Sequence, residues 1–150
     1  MPREFSATRD DVDAIAAWTV IRAARTLARR LGEVLAPLGL SPVEFGALVQ
    51  LAAGERLTQA ELARAVGIRP QSVTTLVAAL ADRGLLDRGP ERGRGRPSRI
   101  TLTSTGRALL AEAFPVVLAS NSWFAGDAEP LSAILAPFVG DATGPADVVP

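Results

Sequence analysis

Nine residues, Glu91-Arg92-Gly93-Arg94-Gly95-Arg96-Pro97-Ser98-Arg99, hold four arginines interleaved with glycine, proline and serine. Guanidinium groups on such a loop suit fork-like hydrogen bonding to phosphate and entry into narrow, electronegative A·T-rich minor grooves. The glycines let the backbone lie close to a surface. The run Arg94-Gly95-Arg96-Pro97 looks like the core of an AT-hook, a minor-groove element. The spacing Gly93-x-Gly95 is not a nucleotide fingerprint, because no helix opening on a phosphate follows it. Upstream, Gln71, Ser72, Thr74 and Thr75 form a polar cluster that opens a helix. Gln71 can pair with an adenine edge, while the hydroxyls can meet bases or phosphates and the threonine methyls a thymine methyl. The amino terminus of the helix itself favours a phosphate. Thr58, Gln59 and Arg69 complete this set of expected DNA contacts, with Arg92, Arg94, Arg96 and Arg99 on the loop.

Most other chemistry is excluded by composition. The chain has no Cys, His, Tyr or Lys, so all sixteen basic residues are Arg. There is no thiolate sensor, no soft-ligand zinc site, no histidine base, no phosphate-loop lysine and no Schiff-base amine. We expect no enzyme, no metal and no cofactor. Formal net charge is zero over 150 residues, but it is unevenly spread. From Gly54 to Arg99 nine Arg face five acids, whereas beyond Arg107 five acids face no base. Such asymmetry is the footprint of a local nucleic-acid surface on a neutral protein. Charged residues, glycine and proline interrupt every apolar stretch before the roughly 18 residues that a membrane span needs. Residues 1–13 carry charges but no apolar core of the secretory kind. The expectation is a cytoplasmic protein with no membrane partner.

The elements that must position these residues are mostly helical. Asp10 or Asp11 is expected to cap a long helix to about Ala36, with Ile15, Trp18, Val20, Leu27, Leu31, Val34 and Leu35 at three- and four-residue steps. Ser41-Pro42 restarts a helix that buries Phe45, Leu48, Val49 and Leu51. Thr58-Gln59-Ala60-Glu61 reads as a capping box. The helix it opens ends at Gly67, and Pro70 starts the next, which stops at Gly84. Two strand candidates, Leu85–Arg88 and Arg99–Thr103, flank the basic loop as a hairpin, or wing. Ser104 or Thr103 caps a further helix, which Pro115 should kink or restart. A last helix is expected over Pro130–Phe138, and residues 140–150 read as a loosely ordered tail.

Residues 59–75 have the internal spacing of a helix-turn-helix. Two steeply crossing helices need a small residue at the crossing, a turn residue tolerant of positive φ, and apolar residues to hold the pair. Ala63, Gly67 and the set Leu62, Val66, Ile68, Val73 and Leu76 supply all three in register. Val73, Leu76, Val77 and Leu80 then face inward. Gln71, Ser72, Thr74 and Thr75 face out at the end that a recognition helix places in the major groove.

Leu57-Thr58-Gln59-Ala60-Glu61-Leu62-Ala63, Val73-Thr74-Thr75-Leu76-Val77, Leu80-Ala81-Asp82-Arg83-Gly84-Leu85-Leu86 and Leu102-Thr103-Ser104-Thr105-Gly106 resemble, in order and spacing, the MarR family. The likeness covers about Leu40 to Leu110. It implies a winged-helix homodimer that binds a pseudo-palindromic operator, usually as a repressor, and that often releases it on binding a small aromatic or phenolic anion. The branch that senses oxidation through Cys is ruled out. Two positions depart from the family pattern. Thr75 stands where a basic residue is common, and Arg94 stands where an Asp commonly clasps the Arg matching Arg96.

The expected fold class is therefore mainly α (α+β): one winged helix-turn-helix domain with a two-stranded wing and terminal dimerisation helices. The DNA-binding lobe spans 41–103, with the helix-turn-helix at 58–83 and the wing at 85–103; dimerisation helices occupy 11–36 and 104–139. The expected partners are double-stranded DNA, a second copy of the chain, and an aromatic or phenolic effector held by Trp18, Arg22 and Phe45. The competing reading is a winged-helix module used for protein–protein association without specific DNA binding.

Overall fold

The computed structural model describes residues 5–54, 56–90 and 98–139. The expected single amino-terminal helix is two. Thr8 caps α1 (Arg9–Asp13): its hydroxyl accepts the Asp11 amide at 3.1 Å, and the Asp11 carboxylate accepts the Thr8 amide at 2.8 Å. Asp11 is thus the return partner of a capping box, not the cap. Asp13 at the carboxy-terminal end opposes the helix dipole, and the helix stops there. Ile15 is extended, and α2 (Ala16–Leu35) begins after it.

A 3-10 turn over Ala36–Leu38 leads to α3 (Pro42–Gly54), opened by a reciprocal bond pair between Ser41 and Glu44. Then come α4 (Gln59–Val66), α5 (Pro70–Asp82), β1 (Leu86–Asp87) and β2 (Thr101–Leu102). The strands are antiparallel, with Leu86 opposite Leu102 and Asp87 opposite Thr101. They are shorter than their sequence candidates, and a third segment joins them: Leu57 and Ile100 exchange both backbone hydrogen bonds, at 3.2 and 2.7 Å. One isolated residue carries no alternation, so no strand signal marks Leu57.

Thr103 caps α6 (Ser104–Leu118). Pro115 does not restart this helix, which runs on to Leu118. The carbonyl that Pro115 leaves without a donor belongs to Ala111, an exposed residue that water can reach. A 3-10 segment over Ala119–Phe124 and α7 (Ala128–Leu135) follow. This last helix starts two residues before the expected Pro130, which sits in its first turn, where proline is tolerated. Residues 136–138 form a 3-10 turn. The expected tail, 140–150, lies outside the described residues.

The core gathers Leu35 from α2, Leu48 and Leu51 from α3, Leu62 from α4, Val73, Val77 and Leu80 from α5, and Ile100 beside β2, all nearly inaccessible. It closes at the junction of β1, β2 and α6. The Thr103 hydroxyl donates to the Gly84 carbonyl at 2.7 Å and accepts the Gly106 amide at 3.0 Å. A Cβ on Gly106 would lie 2.0 Å from the Leu85 carbonyl oxygen and 2.8 Å from Leu102 Cδ1. Only glycine lets α6 come this near the strand backbone. Replacing Gly106 with Ala is expected to lower the unfolding free energy by at least about 1–3 kcal/mol, the usual cost of overpacking. A urea midpoint shifted down with an unchanged m-value is the expected readout.

Candidate nucleic-acid interface

The α4–α5 pair is built as its spacing requires. Gly67 takes φ 74°, and the amides of Gly67 and Ile68 both return to the Ala63 carbonyl, at 2.9 and 3.0 Å. Ala63 and Leu62 are buried beneath Val73, Val77 and Leu80 of α5, with Val66, Ile68 and Leu76 packed at the edge. The outward face of α5 is therefore decided by packing. It presents Gln71, Ser72, Thr74 and Thr75, all exposed, with Arg69 exposed just before the helix. The Thr74 hydroxyl donates to Gln59 Oε1 at 3.2 Å, so the opening of α4 and the outer face of α5 form one polar surface. No sequence pattern points to that bond, which spans fifteen positions. Arg64, exposed on α4, was also not singled out.

Two expected contact residues are engaged inside the protein. Thr58 is buried, with 8% of its surface exposed. Its hydroxyl accepts the Glu61 amide at 3.2 Å, and its amide donates to Glu61 Oε2 at 2.7 Å. It is a capping residue and presents little to a ligand. Arg99, expected among the loop cations, donates from Nη1 to Glu61 Oε2 at 3.3 Å and to the Arg56 carbonyl at 3.2 Å. The Thr58 amide, then its hydroxyl, hold the Glu61 carboxyl below the usual carboxylate range, with Arg99 and Arg64 adding to the effect. At the start of the wing, Asp87 Oδ1 accepts the Gly89 amide at 2.8 Å, and Arg88 is exposed. Arg92, Arg94 and Arg96 lie outside the described residues.

The expected effector trio does not assemble. Phe45 is in the core at 8% exposure. Arg22 pairs with Asp13 at 3.7 Å and lines a groove of about 790 Å³ with Thr19, Arg25, Leu27 and Phe124. Trp18 lies 5.9 Å beneath the Arg25 guanidinium and is not in that lining. A 100° step per residue places Trp18 and Arg22 on one side of α2, but nothing in the sequence reveals that Phe45 faces the other way. A second groove, about 600 Å³, runs between α3 and α6 and sets Arg107 among Val49, Leu102, Leu110 and Phe114. Sequence reasoning did not single out Arg107. Among the described residues no cluster of acids suits a metal ion, and no single helix is long and apolar enough to cross a membrane.

Comparison with known proteins matches residues 38–97 to the MarR family model. The transcriptional repressor Rv2887 of Mycobacterium tuberculosis is 36% identical over 110 residues, covering 73% of this chain and 79% of that protein. A crystal structure of Rv2887 in complex with salicylic acid superposes with a TM-score of 0.62 at 31% identity, over 82% of this chain and 92% of the other. The repressor CouR bound to a 23-mer DNA duplex superposes with a TM-score of 0.74 at 25% identity, over 89% and 99% of the two chains.

The capping site can be tested without any ligand. Thr58→Ala should lower stability by about 1 kcal/mol, the usual cost of a lost N-cap. Because folding depresses the Glu61 pKa, its contribution is present above the unfolded-state value and is lost as pH falls through the folded one. Denaturation curves across the acid range should show this loss in the native protein and a smaller one in Thr58→Ala.

Proposed function

The chain belongs to the MarR family, and from that premise we propose that it is a homodimeric repressor that reads a pseudo-palindromic duplex and leaves it when a small aromatic or phenolic anion binds. The observation that carries this reading is the exposed face of α5. It is fixed by the buried contacts of Leu62, Ala63, Val73 and Val77, and it offers Gln71, Ser72, Thr74 and Thr75 together with Gln59. Gln71 and Gln59 can read base edges. Arg69, at the start of the helix, and the loop arginines Arg92, Arg94 and Arg96 meet phosphates or enter the minor groove.

Dimerisation through the terminal helices is supported by the apolar side chains they leave uncovered. Ile15, Val20 and Ile21 at the amino-terminal end, and Leu118, Ile134 and Phe138 at the other, are 44–83% exposed. A two-fold copy would cover them and set the recognition helices about 34 Å apart, one turn of duplex. For the effector, both grooves offer a guanidinium beside an apolar wall, and the Arg107 groove joins the lobe to α6. An occupant there would act on the angle between the reading helix and the dimer, and so on half-site spacing. The protein would work in the cytoplasm, beside its duplex. We read it as a regulator and not as an enzyme, because its composition leaves only carboxylates, hydroxyls and Arg for chemistry.

Duplex titration at two salt concentrations separates this from the protein-association reading. Binding should weaken steeply with salt, at a log–log slope of about −0.9 per phosphate neutralised. A chain that binds no duplex even at low salt is not a DNA-reading regulator. Replacing Arg94 and Arg96 together with Ala should lower affinity across all sequences and flatten the slope. Gln71→Ala should instead relax preference at one or two base pairs, measured by competition with single-site variants.

A further inference from the structure

Arg99 stands at the foot of the wing, and its guanidinium turns toward α4. Nη1 lies 3.3 Å from Glu61 Oε2 and 3.2 Å from the Arg56 carbonyl oxygen. The same Oε2 accepts the Thr58 amide at 2.7 Å. The next residue, Ile100, exchanges both its backbone hydrogen bonds with Leu57. The foot of the wing is therefore gripped along the segment that opens α4. One step further, Gln59 takes the Thr74 hydroxyl from the outer face of α5. A continuous path of named contacts joins the wing to the reading helix.

We infer that Arg99 is a positioning residue: held by Glu61 and the Arg56 carbonyl, it sets the wing against α4 and α5 so that both can engage one duplex. It is not a phosphate ligand. The two roles make opposite demands on Glu61. A carboxylate whose only task is to cap α4 would repel phosphates at a duplex-facing edge, and its replacement by Gln, which can keep the cap, would tighten binding. A carboxylate that holds Arg99 must weaken binding when it is lost. The pair is half-exposed, with side chains 50% and 38% accessible, so its loss should barely change global stability. What changes is orientation.

This inference rests on the DNA-reading proposal above, and the experiment separates the two. Arg99→Ala, Glu61→Gln and the double variant are titrated against the duplex recovered by genomic-fragment selection and against a scrambled duplex of equal length. Each single change should weaken the selected duplex by about tenfold, within the range of coupling between contacting residues, and the double change should cost no more. The scrambled duplex and the salt slope should be nearly unaffected. A slope flattened by about 0.9 in Arg99→Ala, equal losses on both duplexes, or tighter binding by Glu61→Gln would overturn the assignment and make Arg99 a phosphate ligand. A second readout needs no DNA: amide exchange at Leu57 and Ile100 should quicken in Arg99→Ala while far-UV circular dichroism is retained. Unchanged exchange would overturn the grip itself. Quickened exchange in a protein that binds no duplex would leave the grip standing and remove its role in DNA reading.

Discussion

The crossing of α4 and α5 over Ala63 is the constraint on which the interface depends. A larger side chain there would hold the helices apart, and the outward residues of α5 would turn with them. The crossing also hides Leu62, Val73, Val77 and Leu80, each 1% exposed or less. Burial of such side chains contributes roughly 1.5–3 kcal/mol each, whereas a surface ion pair contributes about 0–1 kcal/mol. Packing therefore decides which face of α5 looks outward, and polar contacts align what packing has placed.

Those polar contacts recur at helix starts. Thr8 with Asp11, Ser41 with Glu44, and Thr58 with Glu61 form the same reciprocal pair, each closing two amides that the first helical turn leaves open. Two of the three carry an arginine from far along the chain. Arg83 reaches Glu44 at 3.4 Å and the Gly39 carbonyl at 2.9 Å, and Arg99 reaches Glu61 and the Arg56 carbonyl. A cap carboxylate already oriented by its helix is a preformed acceptor, so the arginine meets it without ordering a second flexible chain. This use of Arg also qualifies the charge asymmetry. Of the nine Arg between Gly54 and Arg99, Arg83 and Arg99 are paired with carboxylates of the protein itself while staying partly exposed.

The terminal helices behave differently. Each packs part of its length on the core, through Leu35 of α2 and Leu110 and Ala113 of α6, and leaves the remainder uncovered. Trp123 is partly shielded by the Arg30 guanidinium, 4.1 Å from its ring centre. Apolar exposure spread over both ends of the chain has the pattern of a surface awaiting a second copy.

The sequence by itself determined the local features. Capping boxes, turn glycines, first-turn prolines and the inward stripe of α5 are set by residues within a few positions of one another, and they place α3, α4 and α5 within a residue or two. The same holds for the outward polar face of α5, because a helix presents opposite sides at fixed steps. Tertiary structure decided what depends on contacts across the chain. It made Leu57 a third wing segment, withdrew Phe45 from any site with Arg22, and carried α6 through Pro115, where the carbonyl left without its donor belongs to an exposed residue. It also turned Arg99 from the loop to Glu61. Such pairings join residues 38 or more positions apart, a separation at which sequence offers no periodicity and only the packed chain brings the groups together.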